Sequence, residues 1–261
     1  MESQGISREE SRRQSYTVRR IQPSDFPAAA EILANDSSLG KTLYSGKEAH
    51  HSDPIDGFIQ SIRSRYLSPG WVIYVAVAVP SKDDTTDHRG IIVGYAAWKR
   101  TGTSPAAQAW SDNNEWNLNG LRVTLSSLQD SLTQCFQLSK GVNSDEPSLR
   151  LEESFPSDVF PELWYLATLA VDPAYEGEGI RPLLTRRGIS HAIDERVPIG
   201  LESSMRDSRV YEKMGFRLLK MTMKGGLPVS VMVWRPPGPA PERVREFQGV
   251  DSAARFRTRC P

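Results

Sequence analysis

The stretch AVDPAYEGEGIRPLL, residues 170 to 184, joins an apolar run ending at Val171 to a helical pattern through Asp172-Pro173, Gly177 and Gly179. Glycines at such a junction let the backbone turn its NH groups outward and approach a ligand closely. The helix that follows adds unpaired NH donors and the positive end of its dipole. These features suit the binding of a phosphate-type anion. The same glycines also serve to make a turn and nothing more, so the stretch alone leaves both readings open. It is neither the GxxxxGK[ST] nucleotide loop nor the GxGxxG dinucleotide fingerprint, which should follow the first strand of its domain.

The elements that must position this loop are legible in the periodicity. Tyr16 to Gln22 alternates as a strand, and Pro23-Ser24-Asp25 offers turn and cap residues before the helical pattern of Phe26, Ala30, Ile32 and Leu33. Ile55, Phe58, Ile59, Ile62 and Tyr66 mark a second helix closed by Pro69-Gly70. Trp71 to Val79 and Gly90 to Lys99 read as an antiparallel hairpin around the polar turn 82–87. Leu163 to Val171 is apolar throughout, as a strand buried on both faces is. A helix over Gly179 to Glu195 follows, then a strand over Ile199 to Ser203 and a short helix over Asp207 to Met214 stopped by Gly215. A final hairpin, Phe216 to Lys224 and Val229 to Trp234, turns at Gly225-Gly226.

Between residues 101 and 161 the pattern fails, apart from a short helix expected near Leu125 to Leu138. That is long for a connection within a compact domain and reads as an insertion. Residues 1–15 and 236–261 are polar or rich in Pro and Arg and read as tails, which leaves one domain over 16–235.

Composition narrows the function classes. Lys plus Arg equals 32 and Asp plus Glu equals 32 in 261 residues, so no net charge draws the chain to nucleic acid or anionic lipid. An anionic ligand must therefore be held locally. No apolar run reaches the roughly 20 residues of a membrane helix, and a polar N-terminus without a signal core points to the cytoplasm. Cys135 and Cys260 are too few for a disulfide framework or a thiolate zinc site, and the four histidines lack metal-ligand spacing.

After the loop come the strand Gly200-Leu201-Glu202-Ser203-Ser204 and then Arg209-Val210-Tyr211-Glu212-Lys213-Met214-Gly215-Phe216. An apolar strand, V-x-P-x-[Y/F], a pyrophosphate loop, a helix, a strand and Y-x-x-x-G-F occur here in the order found in the GNAT superfamily of N-acetyltransferases, which the chain resembles. The specific motifs lie within residues 163–216. The long insert and the GYAAW strand are similar to those of small fungal-type members.

The resemblance implies an α/β (α+β) fold: a mixed, mostly antiparallel sheet splayed in the middle between the strands at 163–171 and 199–203, with helices on both faces. It also implies acetyl-CoA as co-substrate. The segment Leu169, Ala170 and Val171 would hold the pantetheine and the acetyl carbonyl through backbone NH groups. Glu176, Gly177, Glu178, Gly179, Ile180 and Arg181 would surround the pyrophosphate, and Ser204 stands where the family usually has an asparagine that contacts the pantetheine. Tyr211 would lie near the thioester sulfur and protonate the departing thiolate, which a phenol of pKa about 10 can do at modest cost when water is excluded. Otherwise Tyr211 is an aromatic that packs a short helix onto the sheet, with Gly215 as its C-cap.

The chain departs from the family pattern at Glu176, where Gln or Arg is favoured, at Glu178, and at Arg181-Pro182, where a small residue is expected. Arg181 with Arg186 or Arg187 could restore the positive field that the missing proline NH removes. Glu202 is the candidate general base; Glu162, Tyr165, His50-His51 and His191 are further titratable groups with no assigned role. Trp71, Tyr74, Trp98, Trp110, Trp116 and Trp164 supply aromatic surface, and the expected acceptor is a small-molecule amine. The expected protein is a monomer or homodimer without nucleic-acid or membrane partners. The alternative is a catalytically degenerate GNAT-fold protein that binds CoA or another ligand, or serves as a scaffold.

Overall fold

A computed structural model describes residues 15–36, 54–79, 90–112, 147–224 and 226–238. Strand β1 (Ser15–Arg20) is followed by helices α1 (Phe26–Asn35) and α2 (Pro54–Leu67), then by β2 (Trp71–Val79) and β3 (Ile91–Thr101). Short helices α3 (Pro105–Ser111) and α4 (Pro147–Ser154) precede β4 (Leu163–Val171), α5 (Ile180–Glu195), β5 (Ile199–Ser204), α6 (Met205–Lys213), β6 (Arg217–Lys224) and β7 (Leu227–Trp234). The sequence places α6 at Asp207; it starts at Met205 because Ser204 ends the strand and caps the helix at once, its Oγ accepting from the Asp207 NH at 3.1 Å.

The strands form one seven-stranded sheet in the order β1-β2-β3-β4-β5-β7-β6. Every neighbouring pair is antiparallel except β4 and β5. That parallel pair spans only Trp164–Ile199, Tyr165–Gly200 and Leu166–Leu201. Beyond it β4 continues to Val171 and β5 to Ser204 without pairing with each other, so the sheet opens between them. The mixed, splayed sheet expected from the resemblance is therefore present. A bulge prepares the opening: Ala97 faces Thr168 and Trp98 faces Leu166, leaving Ala167 as an extra residue in β4.

Helices cover both faces. α5 packs on one, where Trp98, Trp164, Ile180, Leu184, Ile199, Leu201 and Met232 are fully buried in a common core with Tyr211 and Phe216. α1 and α2 cover the other face over Ile73, Val75, Val77, Tyr95, Ala97 and Ala170. Past β4 that second face is closed by Leu151, Phe155 and Phe160 against Leu163, Tyr165, Val231 and Val233. α5 comes so close to β3 that a Cβ on Gly188 would meet the Trp98 ring at 2.2 Å.

The two described ends of the insert are joined at the sheet. Arg100, at the end of β3, donates to Glu162 just before β4 at 2.5 Å, to Glu195 of α5 at 2.7 Å and to the Thr101 carbonyl. Glu162 also accepts from the Thr103 and Ser104 NH groups, each at 2.8 Å. The helix expected near 125–138, Trp116 and the pair His50-His51 lie outside the described residues.

Candidate functional site

The opening of the sheet carries a cleft of about 350 Å³. Its walls come from the end of β4 (Val171), the loop into α5 (Tyr175, Glu176, Gly177, Gly179), the first turn of that helix (Ile180, Arg181, Pro182), the C-terminal end of α1 (Asp36) and the start of α6 (Ser204, Arg206, Asp207, Val210).

The loop is shaped by local chemistry. The Asp172 carboxylate accepts from the Ala174 NH at 2.9 Å and starts a single 3-10 turn over Pro173–Tyr175. Gly177 (φ 88°) and Gly179 (φ 78°) then adopt the left-handed conformation, and a Cβ on either would find nothing within 4 Å. The space over the loop is open, as an approaching anion requires. The Glu176 and Glu178 NH groups turn back to the Pro173 and Tyr175 carbonyls at 3.4 Å each. The outward donors are thus those of Gly177, Gly179, Ile180 and Arg181, the last two in the first turn of α5. The Glu178 NH, expected among them, points inward.

The extra carboxylates take different places. Glu176 lines the cleft, whereas Glu178 faces Tyr16, where burial first and then this carboxylate and Tyr175 push the Tyr16 phenol above its ordinary value. Of the arginines expected to restore a positive field, Arg181 lines the cleft. Arg187 does not, because its guanidinium lies over the Tyr74 ring at 5.3 Å. Arg206, which sequence reasoning missed, lines the cleft from α6. No periodicity signals an exposed residue whose place depends on how two strands diverge.

On β4 the direction of each NH follows from pleating. The Asp172 NH donates to the Val93 carbonyl of β3 at 3.0 Å. By alternation the Val171 and Leu169 NH groups point away from β3 into the gap, while that of Ala170 points back to β3. Leu169 and Val171 are therefore the gap-facing donors of this strand, and Ala170 contributes a side chain to the core under α1 and α2.

Tyr211 is not among the residues that line the cleft; it is 5% exposed in the core and edge-on to Phe216 with centroids 5.7 Å apart. Burial pushes its phenol above 10, the Arg181 guanidinium beside the hydroxyl pulls it part of the way back, and Asp207 and Asp36 oppose that pull. Arg181 thus reaches from the start of α5 toward α6. Ser204 lines the cleft, but its hydroxyl also caps α6 and hydrogen-bonds the Asp207 carboxylate at 3.0 Å. Glu202 is held in an ion pair: Lys224 Nζ donates to its two oxygens at 2.5 and 2.7 Å, and the Ser154 hydroxyl donates to Oε1.

His191 and Glu162 stand apart from the cleft. His191 packs between Tyr74 and Trp164 and hydrogen-bonds the Tyr74 hydroxyl at 2.7 Å. Burial, then the charge of Arg187, hold its pKa below 6.5. Glu162 is bound into the Arg100 cluster described above. Among the described residues no group of His, Cys, Asp and Glu is arranged to hold a metal ion, and no helix is long and apolar enough to cross a membrane.

No family model and no curated protein matches the sequence. Among solved structures the chain is similar to a histone acetyltransferase HPA2 and related acetyltransferase from Corynebacterium glutamicum. It shares 22% identity with that protein over 87% of this chain and 99% of that one, with a TM-score of 0.51. It is also similar, with a TM-score of 0.49, to NAA60 of Arabidopsis thaliana in complex with a bisubstrate analogue, at 16% identity over 86% of this chain and 99% of that one. The splayed sheet with its cleft, together with the first of these likenesses, establishes the architecture: the chain has the fold of the GNAT acetyltransferases.

Proposed function

We propose that the protein is an acetyl-CoA-dependent N-acetyltransferase that moves an acetyl group to a primary amine, on a small molecule, by direct attack in a ternary complex. The observation that carries this reading is the cleft at the split between β4 and β5, with outward NH donors at Gly177, Gly179, Ile180 and Arg181 on one wall. These donors and the guanidinium groups of Arg181 and Arg206 suit the pyrophosphate of acetyl-CoA. The gap-facing NH groups of Leu169 and Val171 suit the pantetheine amides and the acetyl carbonyl.

In this mechanism the neutral amine attacks the acetyl carbonyl carbon and a C–N bond forms. Negative charge develops on the carbonyl oxygen beside a β4 NH, where a fixed donor in a dry site is most effective. The C–S bond then breaks, and the Tyr211 phenol gives its proton to the departing thiolate. A proton from the attacking nitrogen passes to water or to Glu202, the latter only as Lys224 yields its hold. An amine already neutral needs no such base.

A second reading, a GNAT-fold protein that binds CoA or another ligand without transferring acetyl groups, is favoured by specific features. Pro182 lacks an NH in the first turn of α5, Glu176 and Asp207 put carboxylates on the cleft wall, and Tyr211 is buried and does not line the cleft. Calorimetry with CoA, followed by an amine screen that reads free CoA thiol, separates the two. Binding with amine-dependent thiol release upholds the enzyme; binding without it selects the second reading; no binding at millimolar CoA removes both the enzyme and the CoA-binding role.

A further inference from the structure

The face of the sheet opposite α5 carries a separate set of polar side chains beside the split. Arg65, in the last turn of α2, donates from Nη1 to the Thr168 hydroxyl of β4 at 2.8 Å. Its guanidinium lies over the Trp71 ring, 5.1 Å from the centroid, and Lys99 Nζ lies over the same ring at 5.6 Å. The Tyr95 hydroxyl is wholly buried next to them. Burial raises its pKa and the neighbouring guanidinium draws it partly back, yet the hydroxyl closes no hydrogen bond of good geometry.

The position of this cluster follows from the bulge in β4. With Ala167 as the extra residue, Ala167 and Thr168 are both half-buried in a strand that is otherwise buried. Thr168 immediately precedes Leu169, whose NH faces the gap. An acetyl group held at that NH would stand beside the Arg65–Thr168 pair, on the side from which an acceptor must come if α5 and its loop hold the donor.

Among the described residues no carboxylate pairs with Arg65, and Thr168 takes only one direction of its planar fork. A half-buried guanidinium with donors left over is matched by an anion that accepts several hydrogen bonds. A carboxylate fits the fork of the guanidinium in two parallel bonds, which makes arginine suited to this task.

We infer that Arg65 and Thr168 form a carboxylate-binding subsite for the acceptor, so that the amine acetylated belongs to a small molecule of amino-acid type. This rests on the acetyl-transfer reading above and adds to it the chemical class of the acceptor. A purely structural role for Arg65, tying α2 to β4, would affect melting temperature without discriminating between acceptors.

The test compares free L-amino acids with their own carboxamides as acceptors, by CoA thiol release at saturating acetyl-CoA. In the wild-type chain kcat/KM for the preferred acid exceeds that for its amide by tenfold or more. In Arg65→Gln that ratio falls to within twofold, through a rise in KM for the acid, while KM for acetyl-CoA is unchanged. Thr168→Val, which leaves the guanidinium in place, gives a smaller fall in the same ratio and guards against an Arg65 variant that does not fold. A wild-type ratio near one, or a ratio preserved in Arg65→Gln, overturns the subsite while leaving acetyl transfer intact. Should neither acids nor amides be turned over, calorimetry with the same compounds decides. Acid binding that Arg65→Gln abolishes upholds the subsite without the transfer reading, and a wild-type chain that binds no acid overturns it.

Discussion

Tyr211 is where the proposed chemistry meets a single side chain. Its phenol is buried and therefore stays protonated well into the alkaline range, with Arg181 as the group that moderates this rise. A proton donor must keep its proton until the thiolate forms, and a guanidinium nearby stabilises the phenolate that remains. Tyr211→Phe removes the proton and keeps the ring that packs on Phe216. The expected result is a fall in kcat of roughly 10²-fold, the scale of general acid catalysis, with the Kd for CoA within about twofold of wild type. Unchanged turnover in that variant makes Tyr211 a packing residue only.

At the scale of the element, α5 does two things at once: its first turn faces the cleft and its body presses on β3. The contact of Gly188 with Trp98 sets how close the helix lies to the sheet. In an isolated helix alanine is favoured over glycine by about 1 kcal/mol. Here a Cβ would enter the indole ring, which is wholly buried, so the sign reverses. Gly188→Ala is expected to destabilise by about 1–3 kcal/mol, the ordinary cost of overpacking a core. Thermal or urea unfolding reads this directly, and a variant as stable as wild type shows that the helix shifts outward without penalty. The β4 bulge is the corresponding device in the sheet, because an extra residue there shifts the register with β3 at the level where β5 departs.

The whole molecule is tied at the Arg100 cluster, where β3, the two described ends of the insert, β4 and α5 meet. The Arg100 side chain is 1% exposed, against 26% for Glu162 and 14% for Glu195. Arg100→Ala leaves these carboxylates without their buried partner and is expected to cost about 3–5 kcal/mol of unfolding free energy, measured by urea titration. A loss below about 1 kcal/mol would mean that water replaces the guanidinium there.

Acid acts on the same region through His191. Its folded pKa lies below 6.5, so below that pH the unfolded chain binds more protons and stability falls as pH drops. His191→Gln removes this contribution. The fall in Tm between about pH 7.5 and about pH 5 should be smaller in the variant than in wild type. Equal falls exclude His191 as a source of the acid sensitivity. Glu162 has its pKa lowered on balance: burial raises it, and hydrogen bonds from Ser104, Arg100 and Thr103 outweigh that. Its contribution is present above the ordinary glutamate range and is lost as pH falls through the lower folded value, so it acts in a more acidic window than His191.

Periodicity, glycine placement and cap residues are local properties, and they carried the element order, the glycine loop before α5 and the strand that leads into it. These are set by neighbours in the chain: Gly177 and Gly179 adopt positive φ because no Cβ opposes it, and Ser204 ends β5 because its hydroxyl reaches the NH of Asp207. The partners of the site residues arise otherwise. That Arg181 meets Tyr211, that Lys224 holds Glu202, and that Arg65 reaches Thr168 across 103 positions depend on how the strands diverge and the helices cross. Side-chain type along a chain encodes which face is buried, whereas the direction of a long charged side chain is decided by whichever distant group packing brings within hydrogen-bond reach.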